Sequence, residues 1–283
     1  MPELPEVETL RKDLSRYLID ARVKKVVIGL PKFVSPKKGF AKKIVSRRIV
    51  SIKRYGKLLV FVFDNKSALH VHLKMTGQVV LRHKKLIIFG GHAVPGLTAL
   101  PNKYTHLTLR FAGGDELYVN DVRQFGYARL YTEDASKKLT EKIGIEPLSR
   151  SFTFQVFERM TQRRSGTVKS FLLNQTFVAG LGNIYVDESC FRAGVRPGRK
   201  LPTFSNLERR RLYQAIRSVL IQAVKHRGTT RSTYQKTDAK DSSFVPYLNV
   251  YGRGGKPCRR CGKSLTRSRE NGRGTVYCSF CQA

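Results

Sequence analysis

Four cysteines near the end of the chain restrict its fold more than any other feature. Cys258-x-x-Cys261 and Cys278-x-x-Cys281 are separated by sixteen residues, the spacing of a four-thiolate structural zinc site. Each pair makes a tight turn that aims two thiolates at one ion, and two such turns complete a tetrahedron. Four protein ligands leave no position for water, so the expected role of a single Zn2+ is structural. A tail this short cannot bury a core of its own, and metal binding would supply its folding energy. Two redox dithiols or an iron–sulfur cluster are the competing readings, but nothing nearby resembles a thioredoxin unit. Cys190, the fifth cysteine, reads as a buried apolar filler.

The whole chain carries 54 Lys and Arg against 20 Asp and Glu, a formal net charge of +34 over 283 residues. Folding must overcome that self-repulsion, so the excess is expected to meet a polyanion. Nucleic acid is the first candidate and an anionic membrane surface the second; a merely solvated basic surface is the plain alternative. The charge is unevenly placed. No acid occurs between Ala21 and Phe63, and a second basic cluster runs from Lys256 to Arg273, interrupted only by Glu270. No apolar run is long enough for a bilayer, and MPELPEVETL has acids where a secretory signal has bases. A soluble, intracellular protein is therefore expected, and an odd cysteine count there argues against a disulfide framework.

Leu4, Val7, Leu10, Leu14, Tyr17 and Leu18 follow helical spacing, with Pro5 in the first turn, so one amphipathic helix is expected over residues 4 to 19. From Val23 to about Tyr131 the pattern turns to short strands such as Lys57–Phe63, Leu69–Leu73, His106–Phe111 and Glu116–Val119, separated by turn residues. This points to a sandwich or barrel. A linker with Gly144 and Pro147 follows, and then helices. The longest is expected over Asn206 to Lys225, capped by Ser205 or Asn206 and stopped by Gly228. Gly272-Arg273-Gly274-Thr275 has the form of a tight turn. It would bring backbone and guanidinium close to a phosphate, or simply leave a solvated Arg in an ordinary turn.

Met1-Pro2-Glu3-Leu4-Pro5-Glu6-Val7-Glu8-Thr9 closely resembles the start of the formamidopyrimidine-DNA glycosylases. The resemblance spans essentially the whole chain. It recurs at Arg54-Tyr55-Gly56-Lys57, His72-Leu73-Lys74-Met75-Thr76-Gly77, Asp121-Val122-Arg123-Gln124-Phe125-Gly126 and Gly144-Ile145-Glu146-Pro147-Leu148. It continues through Gly180-Leu181-Gly182-Asn183-Ile184-Tyr185-Val186-Asp187-Glu188 to Val250-Tyr251-Gly252 and the cysteine tail. It implies an α+β fold: an N-terminal helix with a two-sheet β-sandwich (1–135), a linker (136–150), a helix–two-turn–helix domain with a lesion-recognition loop (151–247), and a zinc finger (248–283). It also implies a monomeric bacterial base-excision enzyme, cytoplasmic and working on the nucleoid, with damaged double-stranded DNA as its partner.

For individual residues the resemblance implies the following roles. Removal of Met1 would expose the secondary amine of Pro2. An α-amine titrates at about 7.7–8.0, so part of it is neutral and nucleophilic at physiological pH. Attack on C1′ of the sugar gives a charged iminium that acidifies the C2′ hydrogen, so base loss and β,δ-elimination follow from one intermediate. Glu3 would move protons and Glu6 would orient the amine or the opened sugar; the plain reading is that both acids complement the positive end of the helix. Lys57, His72, Asn183 and Arg273 would hold phosphates around the lesion, with His106 and Tyr251 among the DNA contacts. Met75, Arg123 and Phe125 would fill the gap left by an extruded nucleotide and bond the orphaned base. Otherwise Met75 and Phe125 are ordinary core residues, Lys57 is the exposed start of a strand, His72 a satisfied structural histidine, and Asn183 a plain helix cap.

Some positions depart from the family pattern. Val122 and Gln124 replace a Pro and a basic residue, Tyr104 precedes His106 in place of a second His, and residues 83 to 103 form a longer insertion. Residues 229 to 247 correspond to the region that reads the extruded base. Two other readings remain open: an endonuclease VIII-type pyrimidine enzyme, with the same amine and zinc tail, and a non-catalytic zinc-containing nucleic-acid binder.

Overall fold

The computed structural model describes residues 1–91, 99–229 and 243–283. The middle of the 83–103 insertion and most of the 229–247 loop lie outside the described residues. The chain divides into two compact units, Met1–Glu141 with Arg227–Ser243, and Lys142–His226 with Phe244–Ala283.

In the first unit, α1 (Leu4–Leu18) is followed by β1 (Val23–Ile28), β2 (Val34–Ser35), α2 (Phe40–Ile44), β3 (Ile49–Tyr55), β4 (Leu58–Phe63), β5 (Ala68–His72), β6 (Gly77–His83), β7 (Leu86–Gly91), β8 (Thr105–Phe111), β9 (Glu116–Asp121), β10 (Tyr127–Tyr131) and α3 (Glu133–Thr140). The strands form two five-stranded sheets, ordered β1-β8-β9-β6-β7 and β2-β10-β5-β4-β3. Every pairing in them is antiparallel except β10 with β2. Leu59, Phe61, Leu69 and Val71 from one sheet meet Val79, Leu81, Leu107, Leu109 and Val119 from the other, with Val7, Leu10, Leu14 and Leu18 of α1 in the same core. Each such side chain contributes about 1.5–3 kcal/mol on burial, so the helical spacing of α1 fixes which of its sides faces the sheets. Along β1 the lysines are exposed while Val23 is fully buried.

Two elements differ from the sequence expectation. The stretch around residues 132–140 is helical: Thr132 accepts the Ala135 N–H and Glu133 and Asp134 occupy the first turn of α3, an N-terminal signature that a reading for breakers passes over. In the strand-rich region, α2 makes a single helical turn with Phe40 and Ile44 buried.

The second unit holds α4 (Phe154–Gln162), α5 (Val168–Leu173), α6 (Asn183–Ala193), α7 (Asn206–Lys225) and the hairpin β11 (Thr266–Glu270) and β12 (Arg273–Tyr277). Thr153, Thr167 and Ser205 cap α4, α5 and α7 with their side chains, and Ser205 forms a capping box with Glu208. α7 occupies the span expected from the sequence. α6 is buried over most of its length. Cys258 and Cys278 join Phe191, Val250 and Leu265 in a small apolar cluster, so the cysteine tail is packed on α6. Among the described residues no helix is long and apolar enough to cross a membrane.

Candidate active site

The first turn of α1 is buried against its surroundings: Pro2, Glu3 and Glu6 all lie below the surface, and Met1 is exposed. The Glu3 N–H donates to Glu6 Oε2 at 2.9 Å, while Glu6 Oε1 accepts the Thr229 N–H at 2.7 Å and the Thr229 hydroxyl at 3.0 Å. Both Glu6 oxygens are thus engaged, and the residue ties the chain start to the segment after α7. Gly228 makes this contact possible. It has φ +78° and a Cβ there would lie 2.5 Å from Glu6 Oε1, so both conformation and space require glycine.

Two residues on, Glu8 accepts from Arg54 Nε at 2.9 Å and from Arg11, and Arg54 Nη1 donates to the Gly56 carbonyl at 2.9 Å. This relay links α1 to the β3–β4 turn, next to which Lys57 is buried. Burial pushes the Glu8 carboxyl up, but the Arg11 and Arg54 guanidiniums outweigh it and hold it below its ordinary value. Arg54 was legible as part of a motif; its partner Glu8 was not, because no local spacing pairs residues 46 positions apart.

His72 ends β5, opposite Leu58 and Tyr127. Burial, with the Lys74 and Lys57 ammoniums close by, lowers its pKa to about 4. The Lys74 N–H donates to His72 Nδ1 at 3.0 Å. The neutral ring therefore carries its proton on Nε2, which leaves a donor that fits a phosphate oxygen.

Met75 is 40% and Phe125 53% exposed, which removes the core-packing reading for both. Arg123 lies over the Phe125 ring with its guanidinium carbon 4.7 Å from the centroid. The two loops that carry them are joined by Asp121, a fully buried carboxylate that sequence reasoning assigned no task. It accepts from Thr76 Oγ1 at 2.5 Å, from the Arg123 N–H at 3.2 Å and from the Gly126 N–H at 2.6 Å. His106 is placed differently from the DNA contact expected. It is buried, with Nε2 2.7 Å from the Asp121 carbonyl and its ring against Phe33, so it supports this loop from beneath.

In the second unit Asn183 opens α6 after Gly182, and its Nδ2 donates to the Gly274 carbonyl at 2.9 Å. Arg273 is exposed at the start of β12, paired with Glu270. The turn before it is Asn271-Gly272, both at positive φ. This is the usual two-residue hairpin signal, shifted towards the N-terminus from the Gly272–Thr275 turn expected. Lys169 secures the hairpin from below: Nζ donates to Asp187 Oδ1 at 2.6 Å, to Thr275 Oγ1 at 2.8 Å and to the Gly274 carbonyl at 3.2 Å. Asp187 Oδ2 accepts the Val276 N–H at 3.1 Å, and burial raises its carboxyl to about 6 despite the Lys169 ammonium. Glu188, also buried, accepts the N–H groups of Asn249, Val250 and Tyr251 at 2.8–3.0 Å, which fixes the backbone of Tyr251.

The ligand atoms of Cys258, Cys261, Cys278 and Cys281 all lie within 4.8 Å of one another, and Cys261 Sγ is 3.5 Å from Cys278 Sγ. A tetrahedral ion with bonds of about 2.3 Å to sulfur sets its ligands about 3.8 Å apart, so the four thiolates fit a structural metal. Backbone N–H groups of Arg260 and Cys281 point at Cys258 Sγ and Cys278 Sγ, both at 3.4 Å, as negative sulfurs require.

Residues 1–128 match the formamidopyrimidine-DNA glycosylase N-terminal domain, residues 143–235 the H2TH domain of the same proteins, and residues 255–283 a zinc finger found in FPG and IleRS. Fold and site together define a zinc-finger protein of the H2TH class. The chain belongs to the formamidopyrimidine-DNA glycosylase family. It is 38% identical over 287 residues to the formamidopyrimidine-DNA glycosylase of Heliobacterium modesticaldum and 37% identical over 286 residues to that of Desulfitobacterium hafniense, each match covering 100% of both chains. It is similar in structure to a point mutant of the Lactococcus lactis FPG in complex with a Fapy-dG containing DNA, with TM-score 0.87, 32% identity and 99% of each chain covered. The Lactococcus lactis Fpg in complex with an abasic site containing DNA aligns with TM-score 0.85 at 31% identity, again over 99% of each chain.

Proposed function

We propose that this chain is a bifunctional DNA glycosylase and AP lyase of base excision repair that removes 8-oxoguanine and formamidopyrimidines. The exposure of Met75 and Phe125 on loops locked by Asp121 carries the reading. Large apolar side chains held out in solvent beside an arginine are what an enzyme needs to fill the gap left by an extruded nucleotide. With Met1 removed, the Pro2 nitrogen attacks C1′ and the bond from C1′ to the damaged base breaks, its electron pair leaving with the base. Glu3 supplies a proton to the departing group and later takes one from C2′. The Pro2 nitrogen then gives up its proton and the C1′–O4′ bond opens, O4′ being protonated as it leaves, which forms the C1′ iminium. This accepts the electrons of the C2′–H bond, and the 3′ phosphate leaves by β-elimination, after which loss of the C4′ proton releases the 5′ phosphate by δ-elimination. Neutral His72 and cationic Lys57 hold phosphates in the first unit, and Asn183 and Arg273 do so in the second. One zinc ion on the four cysteines holds the hairpin that bears Arg273. Such an enzyme works on the nucleoid in the bacterial cytoplasm.

Borohydride reduction during turnover of an 8-oxoguanine:cytosine duplex tests this. The expected result is a covalent adduct that maps to Pro2 by peptide mass spectrometry, with little adduct on a thymine glycol duplex. Absence of an adduct on every duplex points to a non-catalytic binder, and a preference for thymine glycol to a pyrimidine enzyme. Undiminished excision by Pro2→Ala refutes the chemistry itself.

A further inference from the structure

The charge of the first unit is not concentrated where the proposed chemistry occurs. Residues 21–63 contain thirteen Lys and Arg and no acid, yet only Arg54 and Lys57 of these belong to the site described above. A compact group of the others gathers elsewhere. The backbones of Arg22 and Arg48, just ahead of β1 and β3, pair in an isolated antiparallel bridge, and Arg22 Nη1 donates to the Ser46 carbonyl at 3.1 Å. Asp64 N–H donates to the Arg48 carbonyl at 2.9 Å, and Asn65 Nδ2 reaches the Lys43 carbonyl at 3.4 Å. These contacts bring the start of β1, α2 and the β4–β5 turn to one place. Lys42, Lys43, Arg47 and Lys66 line a cleft of about 590 Å³ there. Arg22, Lys42, Lys43, Arg47, Arg48 and Lys66 are all exposed.

Two independent rulers put this cluster far from the chain start. α1 runs fifteen residues from Leu4 to Leu18, about 22 Å at ~1.5 Å per residue, and its far end is hydrogen-bonded to β3 beside Arg48 through Asp20 and Ile49. β4 runs from the residue after Lys57 to the one before Asp64, about 20 Å at ~3.3 Å per residue. The cations therefore occupy the pole of the sandwich opposite Pro2 and Lys57. A duplex held at the site end does not use them.

We propose that Arg22, Lys42, Lys43, Arg47, Arg48 and Lys66 form a second binding face for double-stranded DNA, so that one molecule holds two duplex segments at once. The inference rests on the proposed function for the identity of the polyanion. Four acids temper the cluster: Asp64 pairs with Arg48 at 3.7 Å, exposed Asp20 is hydrogen-bonded through its backbone beside Arg48, and Glu133 and Asp134 stand on the cleft rim at the start of α3. The six cations still outnumber them, and guanidinium forks and mobile ammoniums in this density suit a row of phosphates. A membrane is the poorer partner, because among the described residues few large apolar side chains of these elements are exposed, Ile19, Val50 and Leu139 among them, and insertion needs a broad apolar face.

The full-length, zinc-loaded protein is first saturated with one equivalent of unlabelled duplex containing an abasic-site analogue. A fluorescein-labelled undamaged duplex is then added, and the complex is followed by anisotropy and sedimentation. The expected result is a ternary complex of two duplexes per protein. K42E/K43E/R47E/K66E should weaken the second association at least tenfold while leaving abasic-duplex affinity and 8-oxoguanine excision within twofold of wild type. Saturation of the wild type at one duplex overturns the proposal, as does parallel loss of both duplexes in the variant. Tenfold tighter capture of duplex RNA, or of phosphatidylserine vesicles, at the same face also overturns it. Failure of excision in the wild type would count against the proposed function, whereas one-duplex saturation with excision intact counts against the second face alone.

Discussion

Lys169→Met is the most demanding test of how the second unit supports Arg273. Lys169 and Asp187 have side chains 0% and 1% exposed, and all three ammonium protons are used, on Asp187, Gly274 and Thr275. Methionine fills nearly the same volume but leaves the Asp187 carboxylate buried and unpaired, a loss of about 3–5 kcal/mol. At about 4 °C per kcal/mol for a unit of this size, the thermal midpoint of the second unit should fall by ~12–20 °C. The loss should depend on pH in a defined sense. Asp187 is already raised to about 6 by burial, and removing the ammonium raises it further. A carboxyl raised above its unfolded value binds its proton more tightly in the folded state, so the variant should lose stability as pH rises and recover part of it on acidification. The assay is thermal unfolding at pH 5.5 and 7.5, always as the difference from wild type, with K169M/D187L alongside. That double variant removes the charge and forfeits mainly the Val276 N–H partner, about 1–3 kcal/mol, so it should be more stable at pH 7.5 than the single variant. Equal losses for both variants, or no relative recovery at pH 5.5, would refute the argument that an uncompensated charge sets the cost.

Three further outcomes are expected. Asp121→Asn, which cannot accept from Thr76, Arg123 and Gly126 together, should cost roughly 2–3 kcal/mol in urea unfolding and lower excision at least tenfold, while borohydride trapping of the residual activity still reports Pro2. His70, with Nε2 2.7 Å from Ser136 Oγ, and His72 are both depressed from 6.5 to about 4 by burial. The stability they lend is complete above about pH 6.5 and drains away as pH falls towards 4, so His70→Asn should narrow the gap between wild-type unfolding midpoints at pH 7 and pH 5. Stripping the metal with a chelator should expose the β11–β12 amides to hydrogen exchange while the strands of the sandwich keep their protection; unchanged β11–β12 protection would show that the thiolates need no ion.

What was legible in the chain was what local spacing encodes. The helically spaced apolar residues of α1, the Ser205–Glu208 cap of α7 and the paired cysteines are all written within a few residues of one another, and each appears where the pattern puts it. The short helix α3 was obscured by its place between a strand and a Gly/Pro stretch, although Thr132-Glu133-Asp134 signals a start. Residues of the site were readable by type but not always by placement. His106 lies beneath the loop rather than on it. The tasks of Asp121, Glu8, Lys169 and Glu188 depend on partners 45 or more positions away for the first two, on a hairpin about a hundred residues on for Lys169 and on a segment about sixty residues on for Glu188. Such pairings exist only once the sheets and helices have formed.

The tautomer of His72 has a consequence for how the protein senses ionic strength. A neutral imidazole offering Nε2–H to a phosphate displaces no counterion, whereas each ammonium that docks on duplex DNA releases nearly one, with a slope of about −0.9 per neutralised phosphate. On the proposed function Lys57 adds about one unit to the salt slope and His72 adds none, so the His72 contact should persist in ionic conditions that loosen the ammonium contacts.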